Sequence, residues 1–103
     1  AETIAQERRL RDVNHFGAYI GDDQYGDSGF VYVGDPIYSL EQAQFRLMNP
    51  VWNTNNVFSK TMVLAQLVAL GSTIHDTERY KRDLGHLPHY HLYRGAGGHS
   101  FHP

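Results

Sequence analysis

The 103-residue sequence has no cysteine. That excludes a disulfide framework, a thiolate zinc site and catalysis through a cysteine nucleophile. Long apolar runs are also missing. The longest mostly apolar stretch, Met62 to Leu70, is far too short to span a bilayer. Neither sign of charge is in large excess, since nine Lys plus Arg against 11 Asp plus Glu give a net charge of -2. Such a balance argues against a nonspecific nucleic-acid coat or a membrane-surface binder. No charged start leads into an apolar core of the signal-peptide kind, and the chain opens at Ala1 rather than Met, which reads as the tail of a longer protein. Its length allows one domain, residues 1–103.

What the sequence does have is histidine. There are seven, and full protonation would turn the -2 into +5, so the sign of the molecule depends on groups that titrate near neutrality. Five of them (His86, His89, His91, His99 and His102) fall in the last 18 residues, where no acidic side chain follows Asp83.

The pattern along the chain predicts an α+β fold: a small antiparallel sheet packed against a central buried helix, with a His-rich hairpin at the C-terminus. Residues 1–16 read as an exposed charged helix with a thin apolar stripe of Ile4, Leu10 and Val13. Residues 17–29 are rich in Gly and Asp and read as loop. Within them, Asp22-Asp23-Gln24-Tyr25-Gly26-Asp27 has the composition of a calcium loop but lacks its acidic spacing and terminal Glu, so a solvated turn is favoured. Phe30 to Val33, between Gly29 and Gly34, reads as a strand. Ser39 with Gln42 matches a capping box ahead of a helix from Leu40 to Met48, stopped by Pro50. A polar loop carrying Trp52 follows. Val57 to Leu70 is the strongest helical segment, apolar around nearly its whole circumference and ended by Gly71. A short charged helix is expected over Thr77 to Leu84, ended by Gly85.

After Pro88 the pattern changes to alternation. His89, Tyr90, His91, Leu92 and Tyr93 form a strand in which His89, His91 and Tyr93 share a face. A loop around Arg94 leads to a second strand over His99 to His102. Depending on the turn, either His99 with Phe101 or Ser100 with His102 lies across from the histidine face. Three readings of this cluster stand open. In the first, one neutral imidazole removes a proton from a ribose 2′-hydroxyl, an imidazolium protonates the leaving oxygen, and a cation steadies the charge on phosphorus, with no metal. His89, His91 and His99 are the candidate acid and base there, and Lys60 and Arg94 the cations, with Arg94, Tyr93 and Arg82 as substrate contacts. In the second, the same three histidines ligate a divalent metal such as zinc, although no nearby acid is evident in sequence. In the third, the segment is a His-rich edge for binding another protein, without chemistry. His75 reads as a local, helix-start residue and His15 as surface.

The segments Gly85-His86-Leu87-Pro88-His89-Tyr90-His91 and Gly97-Gly98-His99-Ser100-Phe101 resemble the C-terminal toxin domains of bacterial polymorphic toxins. In several such families a helix beginning near a Lys precedes a Pro-His-Tyr-His strand, a glycine loop and a Gly-His-aromatic strand. Here Lys60, Pro88 to His91, and Gly98-His99 with Phe101 follow that order, over roughly residues 57–102. The resemblance implies an antibacterial effector tail delivered by a larger secreted protein. It would act on RNA in the target-cell cytoplasm and be neutralised by a cognate immunity protein. A departure is charge: many nuclease toxins are basic, so substrate attraction here falls to a local patch of Arg79, Lys81, Arg82 and Arg94.

Overall fold

The computed structural model of the protein describes residues 13–21, 30–48, 55–77, 81–82, 85–93 and 96–103, by backbone alone at 30, 81–82, 85–86, 93 and 96–97. In chain order the elements are β1 (His15–Gly21), β2 (Phe30–Ile37), α1 (Leu40–Met48), β3 (Asn56–Ser59), α2 (Met62–Val68), β4 (Ile74–Asp76), β5 (Lys81–Arg82), β6 (Gly85–His86), β7 (His89–Tyr93) and β8 (Ala96–Phe101). The strands form one sheet in the order β4-β7-β8-β3-β1-β2-β5-β6. The α+β class and the terminal hairpin are as the sequence implies. The sheet is larger than expected and mixed, because β3 runs parallel to β8 and β2 parallel to β5.

Each face of the sheet has its own core. On one, α1 and α2 bring Ala43, Leu47, Ala65, Val68 and Ala69 onto Val57 and Tyr90. On the other, Ala18, Ile20, Val31, Phe58, Leu87 and Phe101 pack together. Since side chains alternate along a strand, Tyr90 on the helix side puts its neighbours His89 and His91 on the opposite side, with Phe101.

Several elements differ from their sequence reading. The strand β1 occupies part of the expected loop: its turn-forming Gly17 sits at a register shift between Phe16 and Ala18, where a bulge suits a residue without a side chain. The segment from Val57 is not helical at its start. Val57 and Phe58 belong to β3, whose four residues are all buried between β1 and β8, a setting that favours β-branched and aromatic side chains. The helix begins only after Thr61, whose hydroxyl accepts the Leu64 N–H at 3.2 Å. Its outer side is exposed at Met62, Val63, Leu67 and Leu70, so α2 is a surface helix that buries one stripe. Leu70, at φ +56°, takes the left-handed position after the helix and Gly71 follows it. The charged helix expected over 77–84 is absent at Lys81–Arg82, which pair as β5 with β6.

The α1 helix matches its sequence signal, with Ser39 Oγ accepting the Gln42 N–H at 3.1 Å. The expected helix of residues 1–16 lies outside the described residues up to residue 12. Beyond that, Val13 is buried and His15 opens β1. The acidic segment 22–27, Trp52 and Arg79 also lie outside the described residues. Among the described residues no helix is long and apolar enough to cross a membrane.

Candidate metal centre

The hairpin register decides what the histidines do. His89 pairs with Phe101, Tyr90 with Ser100 and His91 with His99, so His99 and Phe101 face the same side as His89 and His91. The three imidazoles meet pairwise at ring-centroid distances of 4.6, 4.7 and 5.1 Å. One ring nitrogen from each lies within 4.8 Å of the others. Phe101 backs the group, 5.2 Å from His89 and 5.7 Å from His99 between centroids. His89 is fully buried, His99 is 6% exposed and His91 is half-buried, so the group opens outward through His91.

Hydrogen bonds fix which nitrogens carry lone pairs. The backbone N–H of His99, which can only donate, reaches Asn56 Oδ1 at 2.7 Å, and that identifies the atom as the amide oxygen. His99 Nδ1 lies 2.9 Å from the same oxygen and therefore carries the proton it donates. In the neutral tautomer protonated at Nδ1, the lone pair lies on Nε2. Asn56 is itself fully buried, and its carbonyl accepts Arg46 Nε at 2.8 Å. Gly98 permits this contact: a Cβ there would lie 2.5 Å from the Asn55 carbonyl oxygen. His89 Nδ1 points at the Leu87 carbonyl at 3.4 Å, a long contact that again puts the proton on Nδ1 and the lone pair on Nε2. Burial first, and then the neighbouring His91, hold the His89 pKa down to about 4, so this ring is neutral at pH 7. Neutral imidazoles anchored through one nitrogen and presenting the other are what metal ligation needs.

A carboxylate that the sequence reading did not find is also present. Asp76 on β4 pairs with His89 across β7, and its Oδ2 lies 4.0 Å from His89 Nε2. The signal was weak because Ile74-His75-Asp76 is only three residues long and adjoins a charged segment that resembles a helix. Asn56 and Arg46 were missed as well: one was read as part of a polar loop and the other as an ordinary helix cation.

The remaining candidates fall elsewhere. Lys60 is exposed one residue beyond the end of β3, whereas Asn56 at the other end of that strand holds His99, so Lys60 is not part of the group. Tyr93 and Arg82 are described by backbone alone, and Arg94 lies outside the described residues. His102 turns to the helix side, where its Nε2 meets His75 Nε2 at 2.8 Å. His15 is buried, not at the surface, and its Nδ1 lies 2.7 Å from Ser59 Oγ. His75 belongs to a strand, not a helix start.

No protein-family model, curated protein or solved structure matches this chain.

Proposed function

We propose that His89, His91 and His99 hold one divalent transition-metal ion and that the domain is a metal-assisted hydrolase of phosphodiester bonds, with RNA as substrate. The observation that carries the metal is the convergence of three ring nitrogens within 4.8 Å, with Phe101 packed beside His89 and His99. Three imidazoles with an open fourth position form a catalytic set rather than a closed structural one. Held by these three rings, a divalent ion would supply Lewis-acid activation for phosphodiester hydrolysis. The protein's own part is to keep the His89 ring neutral, to fix the His99 ring through Asn56, and to exclude solvent behind His89.

The same spacing disfavours the metal-free mechanism. An acid and a base acting from opposite sides of a phosphorus atom each need a hydrogen bond of roughly 3 Å. Laid on either side of the reacting group, two such bonds exceed the 4.8 Å that separates these nitrogens. A ring held neutral down to about pH 4 is also a poor proton donor at pH 7. The nucleic-acid substrate, delivery as the tail of a larger protein and a cognate immunity partner rest on the toxin resemblance of residues 57–102.

Incubation of the purified domain with RNA and with DNA, before and after chelation and after repletion with zinc, manganese or cobalt, tests this reading. RNA cleavage should disappear with the chelator and return with one of the ions. Cleavage that survives chelation would favour the metal-free ribonuclease. Absence of turnover on every nucleic acid under all conditions would leave the hairpin as a binding edge.

A further inference from the structure

We infer that the outer surface of the helical layer is the interface of a two-fold dimer, occupied by a second copy of this chain. It lies across the sheet from His89, His91 and His99 and stands apart from the metal reading. The argument starts from a helix that is apolar on both sides. In α2, Ala65 and Val68 already fill the core against the sheet. A helix lying on a sheet needs one apolar stripe and ordinarily turns polar residues outward. Here the outward positions are Met62, Val63 and Leu67, with Leu70 just past the helix end, and Val63 and Leu70 are 68% and 58% exposed. Val63 and Leu67, four residues apart, stack on one side of the helix. Leu70 keeps its exposed side chain in the left-handed conformation, at φ +56°, where a glycine would be unstrained.

The α1 helix extends this surface. Gln44 Nε2 donates to the Leu67 carbonyl at 2.9 Å and ties the two helices together, and the next residue, Phe45, is 69% exposed, with Met48 exposed one turn on. Single exposed apolar residues are ordinary, but six large ones on two packed helices form a patch of the kind that marks an interaction site. Charge and area select a second copy as the occupant. No residue from 61 to 74 is charged. Arg46, the one cation of α1, is turned to the Asn56 carbonyl at 2.8 Å and lies over the Tyr19 ring, which leaves Glu41 as the charge on the outside of that helix. Two such surfaces meet without strong like-charge repulsion, whereas a highly charged protein or a nucleic acid finds little there to pair with. In a two-fold pair each copy contributes the same patch. Six side chains about half exposed then bury on the order of 1,000 Å² over both copies, which is what a specific interface needs.

Sedimentation equilibrium of the purified, metal-free chain from micromolar to submillimolar concentration tests the dimer. Val63→Glu and Leu67→Glu place a charge at exposed positions of α2, and Phe45→Lys does so on α1, so that one misfolded variant does not decide the outcome. Ile74→Lys is the control: its side chain is also apolar and exposed, but it lies opposite His91 on the histidine side of the sheet. Circular dichroism and thermal melting show which variants are folded. The expected result is a concentration-dependent monomer–dimer equilibrium in the parent and in Ile74→Lys, and at least hundredfold weaker self-association in the folded helix variants. A parent that stays monomeric at every concentration would overturn the proposal. So would a dimer that survives all three helix substitutions in folded protein, or one that Ile74→Lys weakens equally.

Discussion

The two faces of the C-terminal hairpin carry the same residue type with opposite outcomes. On the helix side, His102 donates Nδ1–H to the Pro103 carbonyl at 3.0 Å, which leaves its Nε2 to accept from His75 Nε2 at 2.8 Å. His15 is likewise bonded to Ser59. His75 and His102 are bonded ring to ring, His15 to a hydroxyl, and burial lowers the pKa of both His15 and His102. On the other side, His89 and His99 direct their Nδ1 protons at fixed oxygens, and one ring nitrogen from each lies within 4.8 Å of the others and of one on His91. Hydrogen-bond geometry, more than the density of histidine, separates a packed imidazole from one placed to bind an ion.

The sharpest way to break this comparison is to delete one ring from each face. His91→Ala should lower zinc affinity by at least a hundredfold in a competition titration while leaving the melting temperature of the metal-free protein nearly unchanged. His102→Ala should do the reverse, costing about 2 kcal/mol from lost packing and an orphaned His75 donor, with zinc affinity kept within a few-fold. Comparable loss of zinc binding in both variants would mean that the faces are not distinct.

Acid should act on both faces together. In the chelated protein His89 has a folded pKa of about 4 against an unfolded value of 6.5. The unfolded chain therefore binds the proton first, and stability present above pH 6.5 is lost as pH falls toward 4. The shift corresponds to about 3 kcal/mol for His89, and the lowered His15 and His102 add in the same direction. Denaturant titrations at pH 7.5, 6 and 4.5 measure it. Stability that rises on acidification would contradict the burial of neutral rings.

A smaller effect is expected from Asn56→Ala. Losing Oδ1 leaves the buried His99 N–H without that acceptor, at about 1–3 kcal/mol, and frees the His99 ring to rotate, which weakens zinc binding by roughly 10- to 100-fold. A stability change with no change in zinc affinity would show that Asn56 serves the backbone alone.

Much of the hairpin is legible in the sequence because strand alternation and the His-Tyr-His spacing are local. Which face His99 joins is not, since it depends on the register set by the loop around Arg94. The course of Val57 and Phe58 illustrates another limit: as residues they fit an apolar helix, and only the strands on either side of them make β3. Asp76 and Asn56 reach the histidines from 13 and 43 residues away along the chain, through pairing of β4 with β7 and of β3 with β8. No short-range pattern carries such contacts. The Ser39 cap of α1, which acts within three residues, could be read directly.

The most direct measurement is the metal content of the purified domain after dialysis against a limited excess of zinc, compared with the His89→Ala, His91→Ala and His99→Ala variants. One zinc per chain in the parent protein, and none in each folded variant, is the result that a three-histidine centre requires. Zinc bound equally by all four proteins, or by none of them, would contradict it.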